Sequence, residues 1–520
     1  MALIAALLGW MFDGFEMGLF PLIGKPALQD LLQLPSGKVV DQWFGVILAV
    51  FLVGAATGGV LFGWLGDRIG RVRAMSLSIF TYAVFTGLCG FASEAWHIAA
   101  LRFIASLGMG GEWALGVALV TELWPDRSRA FLAGLIGAAA NVGFLAVGLL
   151  SLVLVSFLQG VGELLLQFGF SEGIVTALLK NDGWRLLMII GAFPALLVFF
   201  IRLFVPESHK WEAEREKGAT SHWMTRDLVG VLLGGLGALT VIVIWSPAYE
   251  KLASVLLALE KGVALPSWSP VVRGVVTILG VTVALVGYVY PVTRYLERAE
   301  MAGTLIPGER TRNLQRLLLG ACLAGVALLG TWGSVQWAPQ WAIPLSKQLP
   351  VEGGPYFAKE YTQISSAAGA IVGTILAALA AGRFGRRITY CALCLASFAS
   401  LVYLYQANDA YNYKFLMSVL VVGGVTAAFY GWFPLYFPEI FPTSIRATGQ
   451  GFAFNFGRVL SAIGTLQTAT VTAWFAQGIP ADRQALDAFP KAGTVLAGIY
   501  LIGLGIIWLG PETKGKPLPS

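Results

Sequence analysis

The chain has 520 residues, 57% of them apolar and only 12% charged, with a formal net charge of +6. Soluble domains carry about 25% charged residues, so a chain solvated on all sides is excluded. Its basic residues fall in loops between apolar runs and form no patch interleaved with aromatics, which excludes a nucleic-acid surface and makes the charge a topology signal.

Apolar runs of about 20 residues recur along the whole chain, each long enough to cross a hydrocarbon core about 30 Å thick. The expected fold class is an all-α polytopic membrane protein of about 14 spans. The first span covers 2–24. Its start resembles the apolar core of a signal peptide, but no basic segment precedes it and Asp13 and Glu16 interrupt it, so a spanning helix is expected. A polar loop with Lys25, Asp30 and Lys38 follows. The next spans are 43–64, 74–93, 97–121 and 130–158, then a short interfacial helix over 165–180 and a sixth span over 184–204. A polar linker after Pro206-Glu207-Ser208 reads as a helix lying on the membrane surface. Two further spans, 228–247 and 271–291, flank an amphipathic stretch from Tyr249 to Leu265. A basic loop leads to six more: 317–338, 361–381, 388–406, 414–434, 447–475 and 492–510.

Two motifs occur twice. Gly63-Trp-Leu-Gly-Asp67-Arg68-Ile-Gly70-Arg71 returns as Gly382-Arg383-Phe384-Gly385-Arg386, with Gly382 lying 315 positions after Asp67. The pattern E-x-x-P-x-x-x-R occurs from Glu122 to Arg129 and again, 317 positions later, from Glu439 to Arg446. Same order and nearly the same offset indicate an internal duplication. With the first motif placed in the cytoplasm, the loops on that side carry about twice as many Lys and Arg as the opposite loops, so both termini are expected inside. The expected organisation is 6 + 2 + 6: a six-helix bundle over 1–205, an amphipathic linker over 206–227, two inserted spans over 228–292, a basic loop over 293–316, a second bundle over 317–510 and a tail over 511–520.

Charged groups within apolar spans cost a few kcal/mol and are functional by default. Asp13, Glu16, Arg102 and Glu112 are such groups. A static buried ion pair and a proton-coupling switch both fit them, because a carboxylate that loses its arginine takes up a proton. Glu122 with Arg129, and Glu439 with Arg446, would staple neighbouring span ends or gate them. Asp67, at a helix end, would pair with an arginine of a neighbouring span, and Gly70 would permit the turn. Polar and aromatic residues at mid-depth are substrate candidates: Asn141, Trp332, Ser334, Gln336, Trp337, Asn455 and Arg458. Interhelical hydrogen bonds and interfacial aromatics are the alternative for each. Arg458 aligns with Asn141 by the repeat offset and could hold an anion.

Cys391-Ala-Leu-Cys394 has C-x-x-C spacing, but no second pair or nearby histidine completes a metal site, and neither a nucleotide loop nor H-E-x-x-H is present. No enzyme, cofactor or metal is therefore expected.

The duplicated motifs, the linker after Pro206-Glu207-Ser208 and the terminal Pro511-Glu-Thr-Lys-Gly resemble the major facilitator superfamily over nearly the whole chain. Arg102-x5-Gly108-x-Gly110, together with Glu122 and Arg129, is similar to the pattern of its sugar porters and metabolite–proton symporters. Asp13-Gly14-Phe15-Glu16 is similar to the D-G-x-D/E of its proton-coupled organic-acid carriers, and the extra pair of spans resembles its sialic acid transporters. The resemblance implies two domains with a substrate site between them, an Asp13–Arg102 pair, and a cytoplasmic latch holding an outward-facing state. The latch would comprise Asp67, Arg68, Gly70, Arg71, Glu122, Arg129, Arg383, Arg386, Glu439 and Arg446. Gly382 stands where the first copy has Asp67, so the two halves are not expected to latch equally. The function expected is proton symport of a small polar solute, a sugar acid such as sialic acid or another carboxylate. A neutral-sugar carrier, an exporter, a transporter-like sensor and a membrane enzyme are the alternatives. The partners expected are substrate, protons and the lipid bilayer, with a monomer in the cell membrane.

Overall fold

The computed structural model describes residues 2–519 apart from 36, 125–127, 195–196, 198–200, 202–203, 247–248, 250–252, 255–267, 349–356 and 481–482. Among the described residues it is helical, with no strand. Twelve helical stretches among them are long and apolar enough to cross a membrane. The expected span 184–204 is helical to Ile190, and half of the residues beyond it lie outside the described ones. The span expected over 447–475 forms a 30-residue helix, but its buried polar residues keep it out of those twelve. Most of the amphipathic stretch 249–265 also lies outside the described residues.

Several helices are longer than the apolar runs that announce them, because hydropathy reports only the hydrocarbon depth while the backbone stays hydrogen-bonded into the interface. Helix α1 (Ala2–Leu32) continues through the stretch expected as a polar loop. There Asp30 is buried, bonded by Trp184 Nε1 at 3.2 Å and Lys180 Nζ at 2.7 Å. Helix α2 (Lys38–Ile69) runs about 48 Å at 1.5 Å per residue, so Asp67 and Arg68 sit on its last turn and not in a loop. Next come α3 (Arg71–Cys89), α4 (Ala95–Leu123), α5 (Arg129–Leu152), α6 (Leu154–Gln167) and α7 (Glu172–Ile190). The expected interfacial helix over 165–180 is therefore two pieces, and α7 breaks at Asn181–Gly183, where φ is positive. The surface linker holds one α-helix, α8 (His209–Glu216), followed by two short 3-10 turns, Ala219–His222 and Thr225–Asp227.

The inserted pair is α9 (Leu228–Trp245) and α10 (Ser269–Met301). The basic loop expected over 293–316 shrinks to a turn, since α10 carries Arg294 and Arg298 and α11 begins at Glu309. The remaining helices are α11 (Glu309–Gly333), α12 (Ala338–Ser346), α13 (Ala358–Phe384), α14 (Arg386–Ala407), α15 (Tyr413–Ala427), α16 (Phe429–Ile440), α17 (Arg446–Phe475), α18 (Gln484–Ala497) and α19 (Ile499–Ile506).

Helices α1 to α5 pack on one another, with α4 between α2 and α3, and α1 against α5. Helices α11 to α19 form a second group, with α11 on α17 and α13 on α15. Two seams join the groups, α2 against α17 and α5 against α13. The inserted pair lies beside the first seam. Its helices meet through small residues: a Cβ at Gly237 would stand 2.8 Å from the Gly280 carbonyl, and one at Gly234 2.6 Å from the Tyr288 ring. Such close approach gives apolar helices the van der Waals contact that lipid cannot supply. The outer faces, with Leu232, Leu236, Val275 and Ile278, are exposed. Tyr288 and Thr57 share a hydrogen bond of 2.7 Å, which ties the pair to α2. Arg298 bonds the Asp227 carboxylate, and Trp223 stacks on Tyr295 at 4.3 Å, so the linker is docked on α10.

Candidate functional site

Helix α2 ends one residue before Gly70, whose φ of 113° turns the chain directly into α3. A side chain there would adopt a disfavoured backbone and strike the Glu207 carboxyl. The turn delivers Arg71 into the interior with no exposure. Its Nη1 donates to Asp67 Oδ1 at 2.7 Å and Gly66 O at 2.8 Å, and its Nη2 to Glu122 Oε1 at 3.2 Å and Thr443 O at 2.8 Å. Glu207 accepts the backbone N–H groups of Arg71 at 2.9 Å and Val72 at 3.2 Å. The Ser208 hydroxyl donates to Glu122.

The second copy repeats this construction. Gly385, φ 100°, leads into Arg386, which donates to Glu439 at 2.9 and 2.6 Å and to Ala381 O at 2.9 Å. Glu512 accepts the N–H groups of Arg386 and Arg387 at 3.1 and 3.2 Å, and the Thr513 hydroxyl donates to Glu439 at 2.6 Å. Pro206-Glu207-Ser208 and Pro511-Glu512-Thr513 are thus a third repeated element. Sequence reasoning noted both stretches without pairing them, because three residues at an offset of 305 give a weak repeat signal.

The four charges of the E-x-x-P-x-x-x-R motifs pair differently from the expectation. Glu122 meets Arg446 at 2.8 Å and Arg129 meets Glu439 at 3.3 Å, each across the two halves. Within a motif the acid ends one helix and the arginine begins the next, with an extended Pro442 between them in the second copy. Both side chains therefore face the seam and find the other copy's partner. Asp67 also crosses it. Its carboxylate accepts Ala447 N at 3.2 Å, Thr448 N at 2.8 Å and Thr448 Oγ1 at 2.6 Å, capping the first turn of α17. Arg68 and Arg383 stand outside this network: Arg68 bonds Thr225 Oγ1 at 2.6 Å, and Arg383 lies over the Phe384 ring.

Deeper in the molecule, a cavity of about 200 Å³ lies between the halves. On the latch side it ends at an aromatic stack that joins them, Trp113 on Phe454 with ring centroids 4.0 Å apart. Phe454 is eight residues past the latch end of α17, and Arg458 stands one turn further on. In the other direction the cavity reaches Pro21, Gln340 and Lys359, away from the latch. Of the expected substrate residues, Asn141, Trp332, Gln336 and Arg458 line it. Asn141 Nδ2 also bonds Gly137 O at 2.9 Å. Ser334, Trp337 and Asn455 are not among its lining. Ser334 bonds Gly493 O at 3.2 Å, Trp337 bonds Trp332 O at 3.2 Å, and Asn455 bonds Gly110 O at 2.9 Å across the seam. Trp10, Trp113 and Lys359 also line the cavity. They escape a reading of the sequence because a tryptophan inside an apolar span looks the same on a lipid face, and a lysine at a span end looks like a loop charge.

The intramembrane charges divide into two sets. Arg102 pairs with Glu16 at 2.5 Å, and not with Asp13. Arg102 lies near the end of α4 remote from the latch, and Glu16 is about one turn nearer that end than Asp13, so depth decides the partner. Thr86 Oγ1 donates to Glu16 at 3.2 Å, and the Arg102 guanidinium sits against the Phe20 and Phe51 rings at 4.4 and 4.6 Å. This set lies away from the cavity. Asp13 lines the cavity and faces Glu112 of its own half and Arg458 of the other. The buried Asp13 and Glu112 carboxyls lie within hydrogen-bonding reach of one another and bond when one of them carries a proton, while the buried Arg458 Nη1 has no hydrogen-bond partner among the described residues. A buried guanidinium nitrogen left without a partner in a cavity wall calls for an explanation.

No group of three or more His, Cys, Asp or Glu among the described residues could hold a metal.

Residues 4–345 match the model of the Major Facilitator Superfamily, and residues 354–520 that of the Sugar (and other) transporter family. A putative metabolite transport protein of Haemophilus influenzae is 26% identical over 99% of this chain and 97% of its own. The cis,cis-muconate transport protein of Acinetobacter baylyi is 25% identical over 81% of this chain and 76% of its own. The sialic acid transporter NanX of Escherichia coli is 31% identical over 42% of this chain and 46% of its own. Among solved structures, the proton:xylose symporter XylE bound to 6-bromo-6-deoxy-D-glucose superposes with a TM-score of 0.61 at 18% identity, covering 99% and 97% of the two chains. The family match spans more than half of the chain, and with the helical fold and the cavity between its halves it establishes that the protein belongs to the major facilitator superfamily, as a multi-pass membrane transporter of small molecules and not an enzyme.

Proposed function

We propose that the protein is a proton-coupled symporter of a small carboxylate, a sugar acid such as sialic acid or another organic acid, working by alternating access of two six-helix bundles. The observation that carries this reading is Arg458. It is a buried cation in the cavity wall, with an Nη1 lacking any hydrogen-bond partner among the described residues and with Asp13 as the carboxylate facing it. A guanidinium in a dry site prefers a carboxylate, which it can bind through two parallel hydrogen bonds. A substrate carboxylate that takes Arg458 removes the counter-charge of Asp13, and Asp13 beside Glu112 then holds a proton in place of that charge. Substrate and proton would thus load together, with Glu112 as the relay. Asn141, Gln336 and Trp332 would contact the rest of the substrate. Cis,cis-muconate and sialic acid, the compounds named for two relatives, are both carboxylic acids.

The remaining assignments belong to the same reading. The chain would cross the cell membrane 14 times, counting α17 and the span that begins at 184, with both termini and the latch in the cytoplasm. The bundles would be 1–205 and 317–510, joined through the linker 206–227 and the inserted pair. The structure would then be the outward-facing state, closed inside by the latch and the Trp113–Phe454 stack. Glu16 and Arg102 would hold α1 to α4 as a fixed pair. The unit of function would be the monomer.

The test is uptake into proteoliposomes under an imposed pH gradient, with counterflow of labelled carboxylates. Arg458→Gln should lose binding and transport, and Asp13→Asn should lose concentrative uptake while retaining exchange. Accumulation by Asp13→Asn driven by the pH gradient would sink the coupling scheme. Counterflow of neutral sugars, with none of carboxylates, would favour a neutral-sugar carrier instead.

A further inference from the structure

The cavity wall has a second cation. Lys359 sits in the first turn of α13, on the opposite half from Asp13, and lines the same cavity as Arg458 at the end away from the latch. Among the described residues Lys359 forms no ion pair: Asp41 is taken by Lys25 at 2.7 Å, and Glu360, the next residue, acts on Lys359 electrostatically but accepts a hydrogen bond from Ser151 at 3.3 Å and does not line the cavity. The start of a helix is the end where a positive charge is least favoured. Among the described residues the charged groups lining the cavity are Asp13, Lys359 and Arg458. Once Asp13 is protonated, the cavity therefore has two positive groups and no negative one. Arg458 lies at the Trp113–Phe454 floor and Lys359 at the far end, with the apolar rings of Trp10, Phe144 and Trp332 in the wall. A single carboxylate can satisfy one of these cations only.

Resting on the function proposed above, we infer that Lys359 is a second anion-binding group, and that the substrate class is an elongated dicarboxylate whose apolar middle lies along the aromatic wall while its two ends meet Arg458 and Lys359. Single-headed acids would bind through Arg458 alone.

The test uses two six-carbon dienoic acids that differ in one end group. Cis,cis-muconate has a carboxylate at both ends, and sorbate has one. Binding to the purified full-length protein is measured by the shift of its melting temperature and by tryptophan fluorescence. The wild type should bind muconate about tenfold more tightly than sorbate, the worth of one charge-assisted contact. Lys359→Gln should weaken muconate about tenfold and bring the two affinities together while sorbate binding stays at the wild-type value, which shows that the variant is folded, and Lys359→Arg should restore the difference. Equal binding of both acids by the wild type overturns the inference, as does a Lys359→Gln variant that keeps the tenfold preference or a Lys359→Arg variant that fails to restore it. In those cases the Arg458 reading stands. Failure to bind either acid would overturn this inference, and Arg458→Gln binding both acids as the wild type does would overturn the function as well.

Discussion

The two copies of the D/G-R-x-G-R motif build the same turn and use it differently. In both, a glycine of positive φ delivers an arginine onto a buried glutamate, and a Pro-Glu-Ser/Thr segment closes the site with a carboxylate on the backbone and a hydroxyl on the glutamate. Only the first copy reaches across with an acid. Asp67 caps α17, the helix of the opposite half that carries Arg458. At the equivalent place Gly382 offers a bare backbone, and a Cβ there would stand 3.1 Å from Ala130 of α5. Both halves are joined by a crossed ion pair, but the first seam adds a carboxylate on a helix end where the second adds close packing. The first seam is thereby tied to a helix that lines the cavity.

The largest effect should come from Glu122→Gln. Glu122 is the shared counter-charge of Arg71 and Arg446, and all three side chains are fully buried. Removing one partner of a buried pair costs about 3–5 kcal/mol, so the variant should melt well below the wild type in detergent. Glu439→Gln should cost less, because its partners Arg386 and Arg129 retain slight exposure. Equal losses would erase the difference between the halves. Asp67→Asn comes next. Arg71 keeps Glu122 as its counter-charge, so the main loss is the helix cap, worth about 0.5–2 kcal/mol, too little to unfold the protein but enough to shift a two-state balance. Transport should fail while carboxylate binding persists, and undiminished uptake in proteoliposomes would count against the latch.

A smaller effect concerns the tail. Burial alone would raise the Glu512 carboxyl, but the N–H groups of Arg386, Lys514, Arg387 and Thr513 bond to it and hold it below the ordinary carboxylate value. A lowered folded value means that its contribution is complete above the unfolded value of about 4.3 and fades as pH falls through the folded one. Hydrogen exchange of the Arg386 and Arg387 amides should therefore be flat above pH 5 and, after correction for intrinsic rates, lose protection in acid. Glu512→Gln should have lost that protection already at neutral pH. The smallest effect is Gly382→Ala, expected below about 1 kcal/mol because one methyl group has only Ala130 to displace. Its transport rate should stay within about twofold of wild type. A loss as severe as that of Asp67→Asn would make the two seams equivalent.

Apolar runs and repeat offsets are local properties, so the helical membrane class, the duplication and the asymmetry at Gly382 could be read from the chain alone. The depth of a charge in its helix was also legible, and it would have favoured Glu16 over Asp13 as the partner of Arg102. Arg458 stood out because an arginine within an apolar helix is costly wherever it points. Which way a side chain points is another matter, since it depends on the angle at which two helices meet. Asn455 and Asn141 look alike in sequence, yet one bonds a carbonyl across the seam and the other lines the cavity. The crossing of Glu122 to Arg446 and Arg129 to Glu439 likewise required the two halves to be face to face. The sequence by itself determined which residues had to find partners, because burying them alone is too costly. Only the tertiary structure decided which partners they found, because those contacts join positions more than 300 residues apart.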